Sequence, residues 1–155
     1  MHQEPAAKKN PVFLTGIPGI DIQHDELFFM CNAQLDALGK KNPDLNAVII
    51  SLNDILVFLR SHCSTEESLL KMIDFPKVAE HKTQHRNLCS QFAKGIKELQ
   101  NSEGSEISRY IRSFMNALRA HISVFDRDYK AHVDKIIALR KKFNISALKA
   151  RVLAG

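Results

Sequence analysis

Two pairs of potential metal ligands stand at helical spacing in the middle of the chain. His62 precedes Glu66 by four residues, and His81 precedes His85 by the same interval. Residues four apart on an α-helix share a face at about 5–6 Å, so each pair can reach a single metal ion. Imidazole nitrogen and carboxylate oxygen are common donors to transition metals. The two pairs therefore predict a metal centre.

Four long helices are predicted to carry these residues, because apolar residues recur at helical intervals and β-type alternation does not compete. The predicted segments are helix A from an Asp21 cap to Leu38, helix B from Asn42-Pro43 to Met72, helix C from Asp74-Phe75-Pro76 to Leu99, and helix D from Glu106, after a Ser105 cap, to Lys142. Short connections between them favour an all-α, up-down-up-down four-helix bundle over residues 20–142. An N-terminal arm at 1–19 and a short C-terminal helical extension at 143–155, capped by Ser146, complete the prediction.

Heights along the predicted helices bring further ligands to the same level. With a rise of about 1.5 Å per residue, His24 lies nearly as far before the A–B turn as His62 lies after it, and His85 and His121 are equally far from the C–D turn. The predicted layer comprises His24, His62, Glu66, His81, His85, His121 and Asp126, whereas His2 and His132 lie off it. Each unpaired buried imidazole would cost about 1–3 kcal/mol, which metal binding would offset.

The number of donors restricts the kind of metal site. Five imidazoles and two carboxylates are too many for a four-coordinate zinc site and hold too few oxygens for calcium. They suit two six-coordinate transition-metal ions. Paired Glu-x-x-His motifs, typical of carboxylate-rich di-iron bundles, are absent from the sequence.

Two details of the layer depend on helix geometry. His121 and Asp126 are five residues apart, about 140° around a regular α-helix, so a π-bulge between them is predicted to bring both inward. Glu67 lies next to Glu66 but about 100° away. We interpret Glu67 as a surface or capping carboxylate, in preference to a role in supporting the metal ligands.

Length and composition fit one soluble domain. The chain of 155 residues is 45% hydrophobic and 25% charged, which is ordinary for a globular protein. The sequence has no signal-peptide pattern and no apolar run long enough for a membrane span. Its three cysteines lack the spacing of a disulfide framework, so we expect a cytoplasmic protein.

The net charge of +5 does not by itself indicate a nucleic-acid partner. Basic residues are interleaved with acids, and neither a helix-turn-helix nor a zinc-finger spacing appears, so we expect no nucleic acid. The C-terminal tail is the exception, since few acids accompany its basic residues Arg140, Lys141, Lys142, Lys149 and Arg151. This tail is a candidate contact for an acidic protein or a membrane surface.

The order and spacing of the ligands resemble the hemerythrin family and, among its members, the bacteriohemerythrins. The resemblance runs from about Phe13 to Lys130, so the chain is interpreted as a single hemerythrin-like domain. It rests on Gly16-Ile17 with Asp21-Ile22-Gln23-His24, on His62 with Glu66-Glu67, on Asp74-Phe75-Pro76 before His81 and His85, and on His121-Ile122 with Asp126 and Tyr129.

The resemblance implies a cofactor of two iron ions, a non-haem di-iron centre with an oxo or hydroxo bridge. One iron would be held by His81, His85 and His121, and the other by His24 and His62, with Glu66 and Asp126 bridging. These ligands and the bridging oxygen leave one coordination position open on the two-histidine iron. By the family pattern, dioxygen binds there.

The function implied is reversible dioxygen binding for transport, storage or sensing, by a protein that is not an enzyme. A di-iron oxidase or peroxidase and an oxygen- or redox-responsive signalling module are the alternatives. The oxygen-pocket positions implied by the resemblance are Cys63, Ala117, Leu118 and Ile122. Relatives commonly carry Phe and Trp where this chain has Cys63 and Ala117, so we expect easier water access and faster autoxidation.

Overall fold

The computed structural model describes residues 14–143, and every regular element within that range is helical. The elements are α1 (Pro18–Leu38), α2 (Leu45–Met72), α3 (Val78–Glu98) and α4 (Gly104–His121), followed by a π-helical segment (Ile122–Asp126) and by α5 (Arg127–Phe143), which continues α4. Most of the predicted arm, the Ser146 cap and almost all of the predicted C-terminal extension lie outside the described residues.

The helices form a closed ring of neighbours. α1 contacts α2 and α4, and α3 contacts the same two helices. Short connections join consecutive helices, so neighbours run in opposite directions. The predicted all-α, up-down-up-down bundle is confirmed, with the fourth position filled jointly by α4, the π-helical segment and α5.

The start of α1 differs from the prediction. Ile17 precedes the helix and Pro18 occupies its first turn, where a fixed φ and a missing N–H are tolerated. Asp21 is therefore not the cap. Its carboxylate accepts hydrogen bonds from the Thr15 backbone N–H at 2.7 Å and from the Thr15 hydroxyl at 2.8 Å. Asp21 thus holds the end of the arm against α1.

The caps predicted for helices B and D are also wrong. Asp44, not Asn42, caps α2, and its side chain accepts from the Ala47 backbone N–H at 2.9 Å. α4 begins at Gly104 with a capping box instead of a Ser105 cap. In it, the Glu106 carboxylate accepts from the Glu103 backbone N–H at 3.2 Å. Both helices start within a few residues of the predicted positions.

The segment predicted to start helix C forms a turn instead. Asp74 has a φ of 52°, a left-handed conformation that a helix cannot continue and that aspartate tolerates better than most residues. α3 consequently begins at Val78. The turn buries Phe75 beside Leu70, Tyr129 and Val133.

Two apolar clusters lie on either side of the predicted ligand layer. Along α2, the buried residues pass from Leu59 and Cys63 of the larger cluster, through Glu66, to Leu70 of the smaller one. Along α4 and α5 they pass from Leu118 and Ile122 to Tyr129 by way of Asp126. The polar residues of the layer are therefore enclosed by the core.

Among the described helices, α2 alone is long and apolar enough to cross a membrane by length and composition. Its most apolar window has a mean hydropathy of 1.3. The same helix packs against α1 and α3 and carries the buried polar residues His62 and Glu66. The apolar residues of α2 belong to the bundle core, so the composition of this helix is only weak evidence for a membrane span.

A glycine on α3 allows close packing against α4. The Tyr110 hydroxyl donates to the Phe92 carbonyl oxygen at 3.0 Å, and the two rings are stacked with their centroids 6.0 Å apart. A Cβ atom at Gly95 would overlap the Tyr110 ring. The position of the Tyr110 ring therefore requires a glycine at residue 95.

Gly95→Ala is expected to lower the free energy of unfolding by about 1–3 kcal/mol, because the added methyl displaces Tyr110 from a packed interior. Urea denaturation measures the change. Gly19→Ala is the control: a Cβ at position 19 meets nothing within 4 Å, so stability should stay the same or rise slightly. Equal destabilisation of both variants would contradict this account of Gly95.

Candidate metal centre

Every element of the bundle contributes to one buried polar layer. α1 supplies His24, α2 supplies His62 and Glu66, and α3 supplies His81 and His85. His121 ends α4, and Asp126 ends the π-helical segment. The structure brings all seven predicted ligand residues together, and the exposed fraction of each is 6% or less. His132 lies apart, with Nε2 2.8 Å from the Ile73 carbonyl oxygen.

Glu66 is central to one side of the layer. Its Oε2 atom lies 3.0 Å from His85 Nε2, 3.4 Å from His81 Nε2 and 3.7 Å from His62 Nε2. These nitrogens come from α2 and α3. A single carboxylate thus faces imidazoles on both helices.

Asp126 occupies the corresponding place on the other side. Its Oδ1 atom lies 3.2 Å from His81 Nε2 and 3.1 Å from His121 Nε2, while Oδ2 lies 3.2 Å from His24 Nε2. The π-helical geometry of residues 122–126 allows His121 and Asp126 to face inward together. The predicted π-bulge is confirmed.

The donor atoms form two overlapping groups, each compact enough for one ion. One contains Glu66, His81, His85, His121 and Asp126, and the other contains His24, His62 and Glu66; within each group the donor atoms lie within 4.8 Å of one another. Glu66 belongs to both. Two cations sharing a carboxylate would fit this arrangement.

Unpaired polar atoms indicate what the layer can hold. His24 Nδ1 and Nε2, His85 Nε2, His121 Nε2 and both oxygens of Asp126 are buried without a hydrogen bond, although nitrogen and oxygen atoms approach to about 3 Å. Such atoms are costly to bury unless another partner compensates them. Imidazole and carboxylate donors together suit a transition-metal ion.

The electrostatics of the layer favour a cation. Burial opposes ionisation of Glu66, but His81 and His85 hold its pKa at about 2. Burial likewise opposes ionisation of Asp126, yet His121, His24 and His81 hold its pKa well below the usual range. Both carboxylates are therefore ionised at neutral pH.

The pKa values of the imidazoles shift in different directions, depending on their surroundings. Burial lowers the pKa of His62 to about 4, so this imidazole is uncharged at neutral pH and one of its two ring nitrogens carries no proton. Burial also disfavours the charged form of His81, but its contacts with Asp126 and Glu66 outweigh burial and raise its pKa to about 9. A metal ion would replace the proton that His81 otherwise holds between the two carboxylates.

Two side chains outside the predicted set orient the imidazoles. Glu67 Oε1 lies 2.9 Å from His85 Nδ1, and Gln23 Oε1 lies 2.9 Å from His62 Nδ1. Each oxygen can accept a hydrogen bond from Nδ1–H, which leaves Nε2 free to bind a metal. The interpretation of Glu67 as a surface or capping carboxylate is therefore wrong. Gln23 was not predicted, although its position next to His24 in the sequence offered a weak signal.

Tyr129 supports the layer from the smaller apolar cluster. Its hydroxyl donates a hydrogen bond to Glu66 Oε1, and its ring is fully buried. Burial and the neighbouring carboxylates Glu66 and Asp126 raise the pKa of Tyr129, so the phenol keeps its proton. The hydroxyl thus fixes one oxygen of Glu66 while the other faces the histidines.

The four predicted oxygen-pocket residues differ in burial. Cys63, Leu118 and Ile122 are buried in the larger apolar cluster. Ala117 is exposed on α4, so the structure does not bring it together with the other three.

An open cavity of about 540 Å³ lies between α2 and α3 beside the layer. His85 and Glu67 line it, together with Arg60, Cys63 and Cys89. Because the cavity is open, solvent reaches the outer side of the His85–Glu67 pair. On the wall of the same cavity, a hydrogen bond with Cys63 lowers the pKa of the Cys89 thiol to about 7, against the effect of burial.

Comparison with known proteins places the chain in a family. A model of the hemerythrin HHE cation binding domain matches residues 15–133, which is most of the chain. The chain belongs to the hemerythrin family.

Bacteriohemerythrins from three bacteria are similar to this chain. The protein from Aquifex aeolicus is 26% identical over 121 residues, which cover 77% of this chain and 91% of the relative. The one from Clostridium acetobutylicum is 29% identical over 123 residues, covering 76% and 93%. A third, from Campylobacter jejuni, is 24% identical over 110 residues, covering 71% and 73%. Membership of the family implies non-haem iron binding and dioxygen binding, in agreement with the cluster of buried donors.

Glu67→Ala is expected to weaken metal binding by about ten- to a hundredfold, because partners that orient ligating histidines typically have effects of that size. Glu67→Gln should retain most of the affinity, since its amide oxygen can accept the same hydrogen bond. Competition with a chelator measures both. Glu98→Ala is the control, because that carboxylate is on the same helix as His85 and its side chain is 67% exposed. Wild-type affinity in Glu67→Ala would show that His85 does not depend on Glu67.

Proposed function

We propose that this chain binds dioxygen reversibly at a non-haem di-iron centre and serves oxygen transport, storage or sensing in the cytoplasm. The observation that carries the proposal is the pair of overlapping donor groups that share Glu66. The family match and the similarity to bacteriohemerythrins support the same conclusion.

The proposed ligands follow the two groups. His81, His85 and His121 would hold one iron, His24 and His62 would hold the other, and Glu66 and Asp126 would serve both. The contacts of Asp126 support its bridging role, because Oδ1 faces His81 and His121 while Oδ2 faces His24. The bound irons supply the oxygen-binding chemistry.

The protein's own residues keep the site ordered and dry. Gln23 and Glu67 orient His62 and His85, and the Tyr129 hydroxyl fixes Glu66. Leu118 and Ile122 are buried in the apolar cluster that borders the layer. Such an apolar wall would keep water and protons away from the metal site.

We further propose that the metal centre binds dioxygen and does not catalyse a reaction of it. The polar side chains around the layer are committed to its histidines and carboxylates: Gln23 to His62, Glu67 to His85 and Tyr129 to Glu66. An oxidase or peroxidase would need groups that orient a substrate or deliver protons at the open position.

Loading with ferrous iron under anaerobic conditions, exposure to air and subsequent deoxygenation tests the proposal through the visible spectrum. A colour that appears in air and disappears on deoxygenation is expected. An irreversible change with product formation would indicate an oxidase or peroxidase. A spectrum that never responds to oxygen would exclude oxygen binding, and iron-dependent partner binding would then favour a signalling module.

Metal stoichiometry tests the ligand assignment. We expect about two irons per chain in the wild type and loss of both in Glu66→Ala, because that carboxylate serves both groups. His24→Ala should chiefly lose the iron held by two histidines. His132→Ala is the control and should retain both, since His132 contacts the Ile73 carbonyl oxygen and not the layer. Equal retention in Glu66→Ala and His24→Ala would contradict the assignment.

Leu118→Ala tests the apolar wall. Leu118 and Leu52 are both buried in the larger cluster, and truncation of either should lower stability by about 2–5 kcal/mol. Only Leu118 is three residues from His121, so only Leu118→Ala should accelerate decay of the oxygenated spectrum in air. Leu52→Ala controls for lost stability. Equal decay rates in the two iron-loaded variants would show that Leu118 does not protect the site.

A further inference from the structure

Two thiols on facing helices line the open cavity beside the metal layer. Cys63 Sγ of α2 and Cys89 Sγ of α3 lie 3.9 Å apart, and all three cysteines of the chain are free. Neither sulfur belongs to the two groups of metal donors. The remaining thiol, Cys31, is fully buried on α1 and does not line this cavity. Cys63 and Cys89 thus form a pair of thiols outside the set of metal donors.

We propose that Cys63 and Cys89 are a redox-active dithiol that reduces hydrogen peroxide and closes to a disulfide between α2 and α3. The sulfurs must approach from 3.9 Å to about 2.0 Å, the length of a disulfide bond. Their helices contact each other directly, so rotation of the two side chains toward each other shortens this distance without a change of fold.

The two thiols differ in exposure to solvent, and this difference determines which of them reacts first. Cys89 is half-buried, whereas the exposed fraction of Cys63 is 5%. Arg60 and Arg86 also line the cavity, and cationic neighbours favour the thiolate, which is the nucleophile in thiol chemistry. Cys89 is therefore the sulfur that peroxide meets first, and Cys63 is the resolving thiol.

The proposed reaction balances in two steps. The Cys89 thiolate attacks one oxygen of hydrogen peroxide, an S–O bond forms, the O–O bond breaks, and the departing hydroxide takes up a proton to become water. The sulfur of Cys63 then attacks the Cys89 sulfenic acid, an S–S bond forms, and the hydroxyl group leaves as a second water with the Cys63 proton. Two thiols lose two electrons in all, and peroxide gains them. An external dithiol returns the pair to the thiol state by exchange and is itself oxidised to a disulfide.

The full iron-loaded chain, with its iron already oxidised to the ferric state and freed of reductant, is treated with one equivalent of hydrogen peroxide, and its products are identified by mass spectrometry. We expect loss of two hydrogen atoms from the intact mass, a cross-linked peptide pair containing Cys63 and Cys89, and full reversal by dithiothreitol. The product is covalent and is scored separately from the visible spectrum. Failure of oxygen binding would therefore leave this result unchanged.

Variants decide between a paired site and unspecific oxidation. Cys31→Ala should form the cross-link as the wild type does, whereas Cys63→Ser should instead leave Cys89 as a sulfenic acid that dimedone captures. Cys89→Ser should leave Cys63 as a thiol. Persistence of both thiols in the wild type, cross-links that include Cys31, or separate oxidation of both cysteines to sulfinic acids would each overturn the proposal.

Discussion

The bundle depends on the burial of two ionised carboxylates among five imidazoles. Glu66 and Asp126 are fully buried, and both keep a low pKa because histidines from different helices face them. Charges enclosed in this way are tolerated only when partners surround them closely. The layer therefore requires its helices to meet at one height, with two apolar clusters closing it on both sides.

This requirement explains why the fourth helix is irregular. A regular α-helix would place Asp126 well away from His121, and one of the two would leave the layer. The π-helical segment from Ile122 to Asp126 changes the local turn so that both side chains face inward. It also sets the direction of α5, from which Tyr129 donates to Glu66. The π-helical segment thus lets both His121 and Asp126 face the layer, and Tyr129, which follows it, orients Glu66.

The sequence predicted those features that depend on spacing along one helix or on helix length. The pairs His62–Glu66 and His81–His85 follow from the helical repeat, and the common height of the ligands follows from the rise per residue. The role of Glu67 could not be predicted in this way, because it depends on the lateral position of α3, where His85 Nδ1 meets it. Helix starts were also missed, since local contacts such as Asp21 with Thr15 and the φ of Asp74 decide them.

The α2–α3 interface joins the chemistry of the layer to the surface. His85 and Glu67 border the layer on one side and the open cavity on the other, where Cys63 and Cys89 also lie. Cys63 follows His62 directly in the chain, so the helix turn that presents a donor to the metal layer also presents a thiol to the cavity. A bulky ring at position 63 would fill the cavity and separate the metal layer from the surface. A small, polarisable thiol leaves the cavity open, which places a second reactive pair against the metal layer without removing any of its donors.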